Sequence, residues 1–163
     1  MSSRYKLTLQ YKGTNYSGWQ VQPNGNTIQE LVEKALTKIL DQPMKIVGAG
    51  RTDAGVHALA QVCHFDINRQ GSEHGEREGE APKGPPEAGQ PLAEATRAPV
   101  IDKILLGLNS LLPSDISAID IKKVSPDFHA QLSAKKKTYE YCIFNSPLRS
   151  PFLEDNAWRI PYR

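Results

Sequence analysis

The chain has 163 residues, of which 39% are hydrophobic and 23% are charged, and its formal net charge is +2 at pH 7. This composition is ordinary for a soluble domain with its own core, and no apolar run approaches the ~20 residues that a membrane span needs. The amino-terminal sequence MSSRYKLTLQ lacks the apolar core of a signal peptide, so we expect a cytoplasmic protein. Cys63 and Cys142 have no metal-ligand spacing, and we predict that both are small buried hydrophobic residues.

The amino-terminal part of the chain predicts a strand followed by a helix. Apolar and polar residues alternate over residues 5–11 (YKLTLQY), which is the pattern of a half-buried strand. Beyond a loop rich in Gly, Asn and Ser, Thr27 and Glu30 have the spacing of a capping box. Apolar residues at helical spacing follow as far as Leu40, and Pro43 ends the predicted helix.

Two strands and a long insertion are predicted next. A short strand over residues 44–47 leads into the glycine-rich stretch GAGRTDAGVHA, and a longer strand covers residues 56–67. Residues 70–99 contain five Gly, five Pro and six Glu, so they cannot bury enough apolar surface to offset their ordering entropy and are predicted to be a disordered insertion. Three basic residues stand against those six acids, which leaves the rest of the chain near +5. This modestly basic body is consistent with a polyanionic partner.

The remaining sequence predicts a second helix and two more strands. Pro99 can open a helix that ends before Pro113, and strands are predicted over residues 116–124 and 137–144. The last strand places three side chains on a common face: Tyr139, Tyr141 and Ile143.

The order of these elements predicts the fold class. The pattern β-α-β-β-α-β with one further strand is typical of an α+β fold, the ferredoxin-like split βαβ arrangement. We therefore expect one antiparallel sheet with two helices on one face. Another domain, a second subunit or an RNA could each cover the opposite face.

The stretch GAGRTDAGVHA is the strongest candidate for chemistry. Taken alone, its Gly, Thr and Asp residues are ordinary turn formers, and Asp53 could bond its own backbone in an Asx turn. The alternative is a catalytic carboxylate, because flanking glycines let a substrate approach closely and Arg51 would keep Asp53 ionised, as a nucleophile or base must be. The residues themselves leave both interpretations open.

Four stretches, in order, resemble the motifs of the tRNA pseudouridine synthase A (TruA) family. They are YKGTNYSGWQVQ (11–22), GRTDAGVHA (50–58), LNSLLP (108–113) and DFHAQLSAKKKTYEY (127–141). The similarity runs the length of the chain outside the insertion. It implies the pseudouridine synthase fold and a reaction that needs no cofactor and no metal.

The resemblance also implies roles for individual residues. Asp53 matches the family's nucleophile, which adds to uridines in the anticodon stem-loop of tRNA (nucleotides 38–40), and whether it attacks the ribose or the base stays open. Arg51 matches an arginine that engages phosphate and helps to open the nucleotide. Tyr139 matches a tyrosine that stacks on the uracil; by itself the alternation favours a tyrosine facing the core. Lys137 lies in a lysine run that is solvated by default and here becomes a candidate phosphate contact.

Family members have two similar halves and are homodimers. We therefore expect an amino-terminal half: a TruA-like domain over residues 1–145, with residues 146–163 as a linker toward a second half. The full-length protein is expected to be a homodimer that binds tRNA and not a membrane. The alternative for the chain alone is an RNA-binding fragment without turnover. Lys12 and Gln131 depart from the family pattern, which has an acid and an arginine at those positions.

Overall fold

The computed structural model describes residues 2–23, 25–68 and 99–162. The elements in chain order are β1 (Ser2–Tyr11), α1 (Ile28–Leu40), β2 (Val47–Gly48), β3 (Ala58–Asn68), α2 (Pro99–Leu111), β4 (Ile116–Val124), β5 (Ile143–Asn145) and β6 (Trp158–Ile160). The predicted insertion at 70–99 lies outside the described residues, apart from Pro99, which begins α2. Neither helix of the described chain is long and apolar enough to cross a membrane.

The main sheet has four antiparallel strands in the order β2-β3-β1-β4. Strand β1 lies at the centre, where Leu7 is opposite Cys63 of β3 and Ile121 of β4. This order, together with a helix after β1 and another after β3, is that of the ferredoxin-like fold, so the predicted α+β class is confirmed. The predicted strand over residues 44–47 is shorter and shifted, because only Val47–Gly48 pairs with β3.

The core lies between one face of this sheet and both helices. Alternate residues of β1 are buried, as the period of two requires, and α1 packs against α2. Burying each large apolar side chain contributes roughly 1.5–3 kcal/mol, so this layer supplies most of the stabilising free energy. The largest fully buried side chains of the described chain are Phe65, Leu7, Leu9, Ile28, Leu36, Ile104, Leu108, Ile121, Val32, Thr27 and Cys63.

Helix α2 is tied to β4 by one side-chain amide. Asn109 donates to the Ala118 carbonyl (2.9 Å) and accepts from the Ala118 amide (2.9 Å), so its amide group substitutes for a neighbouring strand. This pairing gives the LNSLLP stretch a structural purpose, because a side-chain amide offers a donor and an acceptor side by side, as the backbone of a strand does.

The start of α1 differs from the predicted capping box. Thr27 is the residue before the helix, but its side chain makes no capping hydrogen bond, and its hydroxyl is buried without a partner among the described residues. The amides of Ile28 and Gln29 donate instead to the carbonyls of Gly18 (3.2 Å) and Trp19 (3.0 Å). The capping-box prediction is therefore wrong, since the preceding loop already satisfies these donors. The same contacts fix that loop to the helix.

The predicted strand over residues 137–144 is also wrong. Only Ile143–Asn145 forms a strand, and it pairs in parallel with Trp158–Ile160 in a separate two-stranded sheet. Tyr139, Tyr141 and Cys142 are exposed, so the prediction that Cys142 is buried fails as well. Alternation produces a strand only where a neighbouring strand supplies hydrogen bonds. Among the described strands, β6 reaches this stretch only at its end, where the Trp158 amide donates to the Cys142 carbonyl (2.7 Å).

Candidate active site

The loop between β2 and β3 (residues 49–57, the motif loop) carries Arg51 and Asp53 and is anchored near its start. The Ala49 amide donates to the Val62 carbonyl (2.7 Å), and the Gln61 side chain donates to the Gly50 carbonyl. The motif loop therefore begins from rigid structure and not from a free linker.

A second loop (residues 12–19, the glycine loop) packs along the motif loop. Both loops turn at a glycine with positive φ, Gly18 (+91°) and Gly55 (+80°). Hydrogen bonds join the two at three points, running from Trp19 N to the Thr52 carbonyl (3.0 Å), from Gly55 N to the Tyr16 carbonyl (3.3 Å) and from Gly13 N to His57 Nδ1 (2.8 Å). The YKGTNYSGWQ and GRTDAGVHA stretches are thus one structural unit.

Two glycines of this unit are required by close approach of backbone to backbone. A Cβ on Gly18 would lie 2.6 Å from the Thr52 carbonyl oxygen and 3.2 Å from the carbonyl carbon of Asp53. A Cβ on Gly13 would lie 2.0 Å from the Val56 carbonyl oxygen. Any side chain at either position would push the loops apart, so glycine here sets where the backbone of Asp53 lies.

Tyr11 and Trp19 support the residue that precedes Asp53. The Tyr11 hydroxyl is 2.9 Å from Thr52 Oγ1, and its ring stacks on Trp19 with centroids 6.2 Å apart. Burial raises the pKa of Tyr11, so its hydroxyl stays protonated at neutral pH. The sequence placed Tyr11 in a strand and in a motif, but gave no sign that its hydroxyl reaches Thr52.

The glycine loop is held at its outer end by Asp115, which the sequence did not single out. The Tyr16 hydroxyl donates to one carboxylate oxygen of Asp115, and the Asn15 side chain donates to the other (3.3 Å). Burial, with Asp115 beside it, raises the pKa of Tyr16. The Lys12 amide donates to the Asp115 carbonyl (2.9 Å). Position 12, where this chain departs from the family pattern, therefore anchors the loop through its backbone, which any residue other than proline can supply.

An open groove of about 560 Å³ runs beside the motif loop. It is lined by Trp19, Gln20, Gln29, Ile46, Val47, Gly48, Gly50, Arg51, Gln131 and Lys137. The Lys137 ammonium lies over the motif loop, with Nζ 2.8 Å from the position that a Cβ on Gly50 would take. The structure thus brings together Arg51 and Lys137, two of the residues singled out from the sequence, although they are far apart along the chain.

The carboxylate of Asp53 is exposed. Within the described residues, the Asp53 and Arg51 side chains make neither a hydrogen bond nor an ion pair, with each other or with any other group. Both are therefore available to a ligand. Tyr139 is 69% exposed and is not among the residues that line the groove. No set of three or more His, Cys, Asp or Glu side chains in the described ranges could hold a metal ion.

Comparison with known proteins identifies the family. A family model described as tRNA pseudouridine synthase matches residues 8–91, about half of the chain. Taken with the fold and the two interlocked loops, this match shows that the chain belongs to the tRNA pseudouridine synthase family.

The relatives agree with this assignment. The tRNA pseudouridine synthase A of Caldicellulosiruptor saccharolyticus is 40% identical over 156 residues, which cover 96% of this chain and 52% of the relative. The tRNA pseudouridine synthase A of Colwellia psychrerythraea is 41% identical over 150 residues, which cover 92% of this chain and 47% of the relative. That of Aquifex aeolicus is 38% identical over 156 residues, which cover 96% of this chain and 53% of the relative. The chain spans about half the length of the curated relatives it matches.

Proposed function

We propose that the full-length protein isomerises uridine to pseudouridine in the anticodon stem-loop of tRNA, at nucleotides 38–40, with Asp53 as the nucleophile. The observation that carries the proposal is an exposed carboxylate, without a partner among the described residues, on a loop whose backbone is fixed by a second loop. Pre-positioning of a nucleophile is what covalent catalysis needs, since a displaced group loses rate steeply. Family membership and the names of the relatives support the same reaction.

The proposed reaction rearranges one nucleotide without any other reactant. The Asp53 carboxylate adds to the ribose or to the base, and the glycosidic bond from nitrogen breaks. The uracil turns and rejoins the ribose through C5, the hydrogen on C5 leaves as a proton, and the base nitrogen takes one up. The carboxylate is then released unchanged, so neither an oxidant nor an energy source is required.

Arg51, Lys137 and Tyr139 are the proposed substrate contacts. Both cations line one groove; the guanidinium offers a planar fork to a phosphate, and the lysine a mobile point charge. Tyr139 is exposed enough to stack on an unpaired base, a contact that contributes roughly 1–3 kcal/mol where it is made. Gln131, also in the groove, provides a neutral amide where the family pattern has an arginine.

The proposal extends to the state of the full-length protein. We infer that it is a cytoplasmic homodimer, on the resemblance to the TruA family. Sedimentation that shows only monomer at micromolar concentration would contradict the dimer.

The second candidate function for the 163-residue chain alone is tRNA binding without turnover. It is favoured by the fact that the chain spans about half the length of its relatives, and by a groove that is open in the described part of the chain. A wild-type chain that binds tRNA and converts no uridine would support it.

The substitution Asp53→Asn in the full-length gene product tests the nucleophile. The amide keeps the size of the side chain but lacks the anionic oxygen, so we expect a loss of at least about 10³-fold in kcat. The measurement is tritium release from tRNA labelled at uridine C5. Affinity for tRNA should stay within about threefold, because phosphate and stacking contacts supply most of it.

Asp41→Asn is the matched control for this experiment. Asp41 is also an exposed aspartate, and its positive φ (50°) at the end of α1 suits asparagine equally well. We expect Asp41→Asn to keep wild-type activity. An Asp53→Asn protein with more than about a tenth of wild-type activity would show that Asp53 is a turn residue and not the nucleophile.

A further inference from the structure

Residues 126–130, which include the whole DFHA stretch, lie against the face of the sheet opposite the helices. Leu7, Cys63 and Phe65 point into the core, so their neighbours in sequence point to the other face. We propose that Arg4 and His64 are positioning residues that hold residues 126–130 on this face and so keep Gln131 and Lys137 at the groove. The meaning of this role for catalysis rests on the proposed function.

Arg4 holds the segment through two backbone carbonyls. Its NH1 atom donates to the carbonyls of Pro126 (2.7 Å) and Phe128 (2.9 Å). The rest of its guanidinium forms a two-pronged pair with Asp66, from Nε to Oδ1 (2.8 Å) and from NH2 to Oδ2 (2.7 Å). Because Asp66 orients the fork, Arg4 presents NH1 to the segment in a fixed direction, which a lysine could not do.

His64 holds the same segment two residues further on. The Ala130 amide donates to His64 Nδ1 (3.1 Å), which requires that Nδ1 carry no proton. The ring is 4% exposed because the segment covers it, and it lies against the rings of Phe128 (6.1 Å) and His129 (4.9 Å). Arg4 and His64 thus engage residues 126, 128 and 130, on one side of the segment.

The held segment leads directly to the groove. Gln131 follows Ala130 and lines the groove, and the turn beyond it is closed on His129, which receives the Leu132 amide at Nδ1 (3.2 Å) and the Ser133 amide at its carbonyl (2.8 Å). Lys137 comes four residues after this turn and lies over the motif loop. A release of residues 126–130 would therefore release both groove residues.

Protonation of His64 would oppose this arrangement. A proton on Nδ1 would place two N–H groups against each other at Ala130. Burial, then the charges of Arg4 and His129, lower the pKa of His64, and Asp66 acts in the opposite direction. Lys6 of β1 is directly opposite His64, and Lys122 of β4 is opposite Lys6, so further positive charge lies near. The contact is complete above the ordinary histidine pKa of about 6.5 and weakens as the pH falls through the lowered value.

The test compares His64→Leu, His64→Asn and Arg4→Leu in the full-length gene product by amide hydrogen exchange. The leucine variants remove the acceptor or the donor, so we expect exchange over residues 126–137 to rise about tenfold or more, while the β1–β3 amides keep their protection. Asparagine retains an oxygen near Nδ1 and cannot titrate, so His64→Asn should keep protection at pH 7.5. After correction for intrinsic exchange, we expect the wild type to exchange faster over residues 126–137 at pH 5.5 than at pH 7.5, and His64→Asn should abolish this difference. Lys123→Ala, which removes an exposed cation from β4, is the control and should change nothing.

Activity decides whether the segment positions the groove. We expect kcat/KM for tritium release to fall about tenfold in the leucine variants. In His64→Asn it should be close to the wild-type value at pH 7.5 and should decrease less than in the wild type as the pH falls. Unchanged exchange over residues 126–137, or raised exchange with unchanged kcat/KM, overturns the proposal. If the wild-type protein itself releases no tritium, the proposed function has failed. The positioning role is then tested by the dissociation constant for tRNA, measured for the wild type and for the leucine variants. An unchanged constant in these variants overturns the positioning role.

Discussion

Replacement of Gly18 by alanine probes how tightly the glycine loop determines the position of Asp53. At a φ of +91°, a residue other than glycine loses about 1–2 kcal/mol. The new Cβ would also lie 2.6 Å from the Thr52 carbonyl oxygen, so that oxygen must retreat by about 0.8 Å to reach the ordinary 3.4 Å. Crowding of this kind costs about 1–3 kcal/mol. We expect Gly18→Ala to lower the free energy of unfolding by about 2–5 kcal/mol in total.

Gly55→Ala separates the two contributions. Gly55 has a similar φ of +80°, but a Cβ there meets nothing within 4 Å. Only the conformational cost of about 1–2 kcal/mol should remain. Urea denaturation of the two variants therefore gives a difference of about 1–3 kcal/mol, which measures the contact between Gly18 and the backbone of Thr52 and Asp53.

The same Gly18→Ala protein should be catalytically impaired. A shift of close to 1 Å in the backbone beside a nucleophile can cost about 100-fold in rate, whereas affinity for tRNA should stay within about threefold because the groove residues are unchanged. Tritium release and filter binding measure these two quantities. Equal destabilisation by Gly18→Ala and Gly55→Ala, or full activity of Gly18→Ala, would refute the inference that close packing places Asp53.

Two further pairs of variants test contacts around the groove. Glu33 accepts hydrogen bonds from the buried Ile46 amide (3.1 Å) and from Lys45 (2.7 Å). Glu33→Ala should therefore lower the free energy of unfolding by about 1–3 kcal/mol in urea denaturation. Lys45→Ala should lower it by clearly less, because the Lys45 side chain is 84% exposed, and equal losses would contradict this. At Gly50 a Cβ meets only the end of the Lys137 side chain, so Gly50→Ala should change stability by at most about 0.5 kcal/mol and yet weaken tRNA binding about twofold to threefold. In a Lys137→Ala protein, Gly50→Ala should no longer weaken tRNA binding. If it still does, the Lys137 ammonium does not lie against Gly50.

The sequence predicted those elements whose burial is set by local spacing. The apolar stripes of α1 and α2 and the alternation of β1 and β4 each require one buried face, and the observed helices and strands agree closely with the predicted ones. Tyr139, Tyr141 and Cys142 show the limit of this reasoning. Their alternation is as regular as that of β1, but among the described strands only β6 reaches them, through one hydrogen bond from the Trp158 amide to the Cys142 carbonyl. A local pattern cannot indicate whether a full partner strand is present.

The contacts that shape the site could not be predicted, for a similar reason. Tyr16 and Asp115 are 99 residues apart, and Arg4 reaches the Phe128 carbonyl across 124 residues. Spacing along the chain contains no information about such pairs. The capping-box prediction failed in the same way, because the carbonyls that satisfy the first amides of α1 come from Gly18 and Trp19, in a loop that local sequence does not place beside the helix.

The structure divides the motif residues into two kinds, and the division follows from hydrogen-bond satisfaction. Tyr11 and Thr52 bond each other, and Gly13 and Gly18 are in contact with the motif loop, so their polar groups and backbone are already used within the protein. The Asp53 carboxylate, in contrast, has no partner in the part of the chain described here. A polar side chain that a rigid loop holds in solvent gains nothing for folding from that position. This position is what the proposed role of Asp53 as nucleophile requires, and it separates Asp53 from the residues of the same motifs whose polar groups are used in building the loops.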